Sequence, residues 1–216
     1  MTPMYVLLLL KGAVVSLKVC TLGIILGCVL GFFISLMRIS KMKILNMLSL
    51  IYIELFRDSP LLIQLFLFYY GLPIFFNLQV SAQVVVTIVI TLNSSAYIAE
   101  IFKSAIGGIM KGQWEASYSL GLSHLKSLRY VILPQAFRIA IPPLISEFVG
   151  KLKASSLGSV VGFVEITRLA AMIRSITYSA FDVLGVTAAI YFVMCYGLSR
   201  LGSYLEKRLE IKDVNK

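Results

Sequence analysis

The stretch from residue 59 to residue 99 reads SPLLIQLFLFYYGLPIFFNLQVSAQVVVTIVITLNSSAYIA and contains no charged residue in 41 positions. A helix needs about 20 mostly apolar residues to cross the hydrocarbon core of a bilayer, so this run predicts two membrane spans. The Gly-Leu-Pro at positions 71–73 marks the turn between them. The sequence therefore predicts an all-α integral membrane protein.

The rest of the chain continues this pattern. Of the 216 residues, 59% are hydrophobic and 14% are charged, whereas soluble domains are about 45–50% apolar and about 25% charged. We expect a single transmembrane domain over residues 1–216, with five spans at about residues 12–37, 46–70, 81–103, 137–163 and 181–202. In the first span, Gly23, Gly27 and Gly31 recur four residues apart and allow close helix packing, although glycine is also tolerated elsewhere in membrane helices.

The positions of the cationic residues predict the orientation. Lys and Arg accumulate in cytoplasmic loops of membrane proteins. With the N-terminus outside, the segments expected outside hold only Arg168 and Arg174, apart from Lys11 near the outer end of the first span. The segments expected inside hold twelve cations: Arg38, Lys41, Lys43, Lys103, Lys111, Lys126, Arg129, Arg200, Lys207, Arg208, Lys212 and Lys216. This distribution predicts an N-out/C-in protein, and the net charge of +10 is therefore no sign of nucleic-acid binding.

The segment between the third and fourth spans, at about residues 107–134, is the longest polar stretch. Gly121 can adopt the left-handed conformation and is expected to end a short helix. Ser123 is expected to cap a second helix, and Pro134 to end it by disfavouring helical geometry at Leu133. The pattern predicts a helix–glycine–helix elbow on the cytoplasmic surface, or alternatively a loop that lies on the bilayer.

This segment resembles a known motif. Glu115, Ala116 and Ser117 are followed after three residues by Gly121, and nine residues later by the stretch from Val131 to Pro134. The spacing is that of the EAA loop of ABC importer permeases, with Ser117 and Val131 as departures. The stretches FRDSPLLIQLFLFYYGLP, LNSSAYIAEIFKSAI, ILPQAFRIAIPPL and SSLGSVVGFVEITR resemble the polar amino acid uptake subfamily of these permeases.

The resemblance implies a MetI-like ABC importer permease fold and a place in a bacterial inner membrane. It also implies that this chain is the permease subunit of an ATP-driven amino acid importer. Its expected partners are two ABC ATPase subunits, a second permease subunit that is either identical or a sister chain, and an extracytoplasmic substrate-binding protein. The residues that it assigns to ATPase coupling are Glu115, Ala116, Ser117, Gly121, Val131, Leu133 and Pro134.

The sequence offers no site for catalysis. It contains no G-x-x-x-x-G-K-[ST] loop for nucleotide phosphates, and it has neither an HExxH nor a GxSxG motif. We therefore expect this chain not to be an enzyme and to bind no cofactor itself, so that ATP is used by a separate subunit. A self-contained channel or secondary carrier is the alternative function.

Polar residues within the third and fourth spans predict a substrate path. Asn93, Tyr97 and Glu100 share one helical face, and Glu147 and Lys151 form an i,i+4 pair. Ionisable groups in a membrane face a partner or a watery cavity, so these residues either line the path or pair with one another to stabilise helix packing. The predicted path residues are Asn93, Tyr97, Glu100, Glu147, Lys153, Ser155 and Ser156.

Similarity to the subfamily also bears on the substrate. The subfamily pattern N-E-F-I-x-L-x-K-[DE]-[ST]-S reads S-E-F-V-G-K-L-K-A-S-S here. Glu100 or Glu147 together with Lys153 is expected to bind the two charged ends of an amino acid. The added Lys151 and the missing carboxylate at Ala154 disfavour arginine or lysine, because like charges repel strongly when they are desolvated. A neutral or acidic amino acid is therefore favoured.

Overall fold

The structure is a computed structural model that describes residues 2–209, so Lys212 and Lys216 of the charge count lie outside the described residues. Within residues 2–209 the chain forms α-helices and no β-strand, which confirms the predicted all-α class. The helices are α1 (Pro3–Arg38), α2 (Lys43–Arg57), α3 (Leu61–Phe76), α4 (Ala82–Gly107), α5 (Lys111–Ser119), α6 (His124–Ser127), α7 (Leu133–Ala154), α8 (Ile166–Thr177) and α9 (Ala180–Leu209). A π-helical turn (Leu128–Ile132) joins α6 to α7, and a 3₁₀ segment (Ser155–Val161) follows α7.

The membrane spans agree with the expected number when one bent pair is counted together. Four helical stretches are long and apolar enough to cross a membrane, namely Pro3–Arg38, Ala82–Gly107, His124–Val161 and Ala180–Arg208. Helices α2 and α3 pass the same test only as a pair and meet at 99°. The described residues therefore give four spans, or five when α2 and α3 count as one broken span.

The break between α2 and α3 lies within the span that was expected at residues 46–70. Pro60 cannot donate a backbone hydrogen bond, and it precedes α3 in an extended conformation. The side chain of Gln64 is buried, and its Nε2 donates to the carbonyl oxygen of Phe56 at 2.9 Å. An amide side chain thus provides the hydrogen-bond partner of a backbone carbonyl at the break. Inside a membrane every backbone polar group needs such a partner.

Helices α1 and α4 pack closely in the centre of the molecule. A Cβ atom on Gly31 would lie 2.7 Å from the carbonyl oxygen of Ser95, and one on Gly23 would lie 2.7 Å from Cγ2 of Ile90. The predicted glycine face is therefore confirmed as a site of close backbone approach. Helix α1 begins at Pro3 rather than near residue 12, with proline in the first turn, where no backbone donor is needed.

Helix α8 lies between the last two spans and is held at its N-terminus by Glu165. The fully buried carboxylate accepts hydrogen bonds from the backbone N–H groups of Thr167 at 2.9 Å and Arg168 at 2.8 Å. The hydroxyl of Tyr191 in α9 donates to the same carboxylate at 3.1 Å. Burial raises the pKa of Glu165, and these hydrogen bonds oppose the rise. Glu165 therefore links α8 to α9.

Candidate translocation path and coupling surface

The polar segment after α4 folds as an elbow of two short helices, α5 and α6, as predicted. Gly121 has a φ of +77°, and the chain reverses there through two backbone hydrogen bonds. Gly121 N–H donates to Tyr118 O at 2.9 Å, and Leu122 N–H donates to Ser117 O at 3.1 Å. This pair of hydrogen bonds is the Schellman motif, a helix end that favours glycine. Ser123 occupies the N-cap position of α6 as predicted, but its side chain makes no capping hydrogen bond.

The expected helix stop at Pro134 is also wrong. Leu133 has helical angles of φ −59° and ψ −43°, and the chain continues as a helix from His124 to Val161. The intervening π-helical turn explains this continuity, because the N–H of Leu133 bonds to the carbonyl oxygen of Leu128, five residues back. Such wider turns accommodate the missing donor of a proline. Helix α6 of the elbow and the fourth span therefore form one continuous helical element, and α5 is joined to it through the turn at Gly121.

The predicted coupling residues lie in α5, in the turn at Gly121 and at the start of the fourth span, and they differ in burial. Glu115, Ala116 and Pro134 are exposed, whereas Ser117 is buried and its Oγ donates to the carbonyl oxygen of Trp114 at 2.7 Å. Val131 and Leu133 are half-buried and pack against the core around Ile98, Phe102 and Ile132. The motif thus presents one part to the exterior and anchors the other part in the membrane body.

Two exposed leucines of the elbow were not predicted as surface residues. Leu120 is 81% exposed and Leu125 is 73% exposed. Leu128 and Ile132 follow Leu125 by three and seven residues, and both of them face the core instead. The elbow therefore carries exposed apolar side chains as well as the exposed carboxylate of Glu115.

Aromatic rings hold the two helices of the elbow together. Trp114 and His124 stack with ring centroids 5.1 Å apart and an interplanar angle of 13°. The hydroxyl of Tyr118 and Nδ1 of His124 share a hydrogen bond of 2.9 Å. Trp114 also packs against the core of the membrane body. The elbow is therefore joined to that body through side-chain packing as well as through the backbone.

Glu100 lies in an ion-pair network at the α1, α2 and α4 ends nearest the elbow. Its carboxylate is 3.0 Å from the ammonium of Lys103 and 3.8 Å from Nε of Arg38. Arg38 also donates from Nη1 to Oδ1 of Asn46 at 2.6 Å. Glu100 thus pairs with two cations, and these contacts join the C-terminal ends of α1 and α4 to the start of α2.

A second group of polar side chains comes together from α2, α4 and α7, and we call it the polar cluster. Its members are Arg57, Asn93, Tyr97, Glu147 and Lys151. The ammonium of Lys151 is 3.0 Å from Oε1 of Glu147 and donates to Oδ1 of Asn93 at 2.6 Å. Asn93 in turn donates to Phe56 O at 2.7 Å and to Gln64 Oε1 at 3.1 Å, at the break between α2 and α3. The cluster therefore links the broken span to α4 and α7.

The ring of Tyr97 contacts two cations of this cluster. Its centroid is 4.3 Å from the Lys151 ammonium and 5.2 Å from the Arg57 guanidinium. Within residues 2–209, Arg57 forms no salt bridge. An open cleft of about 440 Å³ lies beside it and is lined by Arg57, Tyr97, Glu100, Ile101, Ser104, Ala105, Ile139 and Pro143. That volume is within the usual range of about 300–1,000 Å³ for small-molecule sites.

The remaining predicted path residues lie at the end of α7 and beyond it. Lys153 is exposed, and the structure pairs Glu147 with Lys151 and Glu100 with Lys103 instead of with Lys153. Ser155 is buried and Ser156 is half-buried, and each donates its hydroxyl to a carbonyl oxygen of α7 at 2.8 Å. Lys151 and Arg57 were not among the predicted path residues, although the i,i+4 spacing of Glu147 and Lys151 was a visible signal.

A membrane body with a broken span, an open cleft beside a polar cluster and an exposed elbow is the architecture expected of a transport permease. Residues 23–211 match the family described as the binding-protein-dependent transport system inner membrane component. YckA of Bacillus subtilis strain 168, a probable amino-acid ABC transporter permease, is 39% identical over 199 residues, covering 92% of this chain and 88% of that protein. GlnP, the glutamine transport system permease of Escherichia coli K12, is 36% identical over 205 residues, covering 94% of each chain.

Solved structures agree with these relatives. One, described as an amino acid ABC transporter with histidines, has a TM-score of 0.90 at 40% identity and covers 96% of this chain and 100% of that chain. The inward-facing MetNI methionine ABC transporter has a TM-score of 0.82 at 20% identity, covering 97% of this chain and 99% of that chain. The second likeness bears on the fold alone, and it confirms the predicted MetI-like architecture.

The chain belongs to the family of binding-protein-dependent transport system inner membrane components. It is therefore a multi-pass inner-membrane permease of an ABC importer, in which separate subunits hydrolyse ATP.

Proposed function

We propose that this chain lines the translocation path of an ATP-driven amino acid importer together with a second permease subunit, which is either identical or a sister chain. The family description supports an extracytoplasmic binding protein that delivers the substrate, and the names of YckA and GlnP support an amino acid as that substrate. The observation that carries the proposal is the continuous helix from His124 to Val161. It joins α6 of the elbow to Glu147 and Lys151, so a displacement of α6 would reach the polar cluster through one helical stretch.

The elbow is the proposed docking surface for the ATPase. Glu115, Leu120 and Leu125 are exposed there and offer one carboxylate and two apolar side chains. Two permease subunits related by a two-fold axis would present two such elbows and so dock two ATPase subunits. ATP would bind to those subunits, and this chain would hold no cofactor.

The proposed orientation places the N-terminus outside and the C-terminus inside. Arg38 and Lys103 meet Glu100 at the helix ends nearest the elbow, so their cations lie toward one end of the body. Cations gather on the cytoplasmic side of membrane proteins. An ATPase in the cytoplasm requires the elbow to face the same side.

The proposed path runs from the cleft past the polar cluster toward the segment that follows α7. Asn93, Tyr97 and Glu147 belong to the cluster, and Glu100 lies at the margin of the cleft. Ser155 and Ser156 lie farther along, with Lys153 on an exposed face. The cleft is open on this chain, and the second permease subunit would close it.

Uptake by reconstituted protein tests this function. Proteoliposomes that contain the permease, its ATPase and the binding protein should accumulate an amino acid only when ATP is supplied. Glu115→Lys should abolish most of this uptake while ATP hydrolysis continues, because the substitution reverses the charge of the docking surface. Glu206→Lys is the matched control, since Glu206 is an exposed carboxylate of α9 and not part of the elbow.

Two results would contradict the proposal. One is full uptake by the Glu115→Lys variant. The other is uptake without ATP by liposomes that contain this chain alone, which would indicate a self-contained channel or secondary carrier.

A further inference from the structure

Lys151 is the one lysine of the polar cluster, and its ammonium is held on several sides. Its residue is 8% exposed, and it lies in the span that continues from the elbow. The Glu147 carboxylate at 3.0 Å, the Asn93 amide oxygen at 2.6 Å and the Tyr97 ring at 4.3 Å surround the ammonium. A carboxylate, a neutral acceptor and an aromatic ring together form a complete binding site for an organic cation.

The cation that occupies this site is the Lys151 ammonium of the protein itself. A buried carboxylate in a membrane span needs a positive partner, because leaving it unpaired is costly. Lys151 supplies this partner one helical turn from Glu147 on the same helix. A lysine or arginine side chain of a passing substrate would need the same carboxylate and would meet the Lys151 ammonium there.

The charges around the neighbouring cleft also favour a substrate anion over a substrate cation. Glu100 is already neutralised by Lys103 and lies 3.8 Å from Arg38. The guanidinium of Arg57 lines the cleft and has no carboxylate partner in the part of the chain that the structure describes. A guanidinium is well suited to bind a carboxylate, in a bidentate geometry where space allows. The cleft therefore offers a free cationic group and no free anionic one.

We propose that Lys151 determines specificity as a built-in counter-ion of Glu147, which closes the path to cationic amino acids and leaves it open to neutral or acidic ones. This inference rests on the proposed function and assigns a substrate class to the same path. It predicts that removing the lysine side chain creates a site for a substrate cation. The vacated space lies between Glu147, Asn93 and Tyr97.

Binding of free L-arginine to the purified permease complex tests the inference. Lys151→Ala should bind L-arginine about tenfold more tightly than the wild-type protein, the change expected when one ion pair is gained. The readout is the shift of the unfolding temperature with ligand concentration, and the neutral isostere L-citrulline serves as the control ligand. Lys151→Arg keeps the cation and should show no gain. Lys18→Ala, which removes an exposed lysine of α1, should also show none.

A second variant examines the pair from its other side and does not depend on the folding of Lys151→Ala. Glu147→Gln leaves the ammonium without its carboxylate, so this variant should bind L-glutamate about tenfold more tightly than wild type does, with L-glutamine as the neutral control. Equal arginine binding by Lys151→Ala and wild type, or no gain of glutamate binding by Glu147→Gln, would overturn the inference.

Uptake by the wild-type complex separates this inference from the proposed function. ATP-dependent uptake combined with no gain of binding in either variant would leave the function standing and remove the role of Lys151. Gained binding in the variants without any ATP-dependent uptake by wild type would support the role of Lys151 and contradict the proposed function.

Discussion

One continuous helical stretch joins α6 of the elbow to Glu147 and Lys151 of the polar cluster, yet the elbow and the cluster are built on opposite principles. Leu120 of the elbow is 81% exposed, whereas Lys151 of the cluster is 8% exposed. Glu115 forms no salt bridge within residues 2–209, while the Glu147 carboxylate lies 3.0 Å from an ammonium of its own chain. The charges of the cluster are therefore paired with groups of the same chain. The elbow instead presents groups that only another protein can cover.

The largest effect on stability is expected in the cluster. Lys151→Ala should lower the free energy of unfolding by about 3–5 kcal/mol, because it leaves the Glu147 carboxylate buried without a partner. Thermal unfolding of the purified protein in detergent measures this loss. The double variant E147Q/K151A should recover most of it, and Lys18→Ala should change little. A loss as small as that of Lys18→Ala would show that the cluster does not stabilise the fold.

The next effect concerns the packing that positions the cluster. Gly31→Leu should destabilise the protein by about 1–3 kcal/mol, because its Cβ would lie 2.7 Å from the Ser95 carbonyl oxygen on α4. Gly150→Ala is the matched control, since a Cβ there meets no atom within 4 Å. Equal unfolding temperatures for the two variants would contradict a close α1–α4 contact.

A smaller effect on stability, with a large effect on transport, is expected at the elbow. Gly121→Val should cost roughly 1–2 kcal/mol, because a residue with a Cβ is strained at a φ of +77°. The strain changes the angle between α5 and α6, so ATP-driven uptake should fall several-fold while unfolding of the membrane body changes little. Gly112→Ala, with open space around it, is the control and should transport normally. A large loss of stability together with normal ATP-driven uptake would contradict this prediction.

The smallest effect should come from a single hydrogen bond within the elbow. Tyr118→Phe removes the 2.9 Å hydrogen bond to Nδ1 of His124 and keeps the aromatic ring. At an exposed site this loss should cost at most about 1 kcal/mol. Hydrogen exchange of the α6 backbone amides should become faster, while exchange in α4 stays the same. Faster exchange throughout the membrane body would show that the elbow and the body unfold together.

Much of the fold could be predicted from local signals. The uncharged run of residues 59–99 predicted membrane helices, Gly121 predicted the turn of the elbow, and the glycines from Gly23 to Gly31 predicted a packing face. The break at Pro60 and the continuity through Pro134 could not be distinguished in advance. A proline ends one helix and is absorbed by a π-helical turn in another, according to what satisfies the freed backbone groups nearby.

The sequence by itself determined the membrane class and the position of the elbow, because apolar run length and glycine conformation depend on neighbouring residues alone. Only the tertiary structure decided the partner of each buried charge. Asn93 and Lys151 are 58 residues apart in sequence, and their 2.6 Å contact exists because α4 and α7 pack side by side. Charges buried away from water interact strongly with whatever lies within a few ångströms. Their pairing therefore follows from the packing of helices that are distant in the chain.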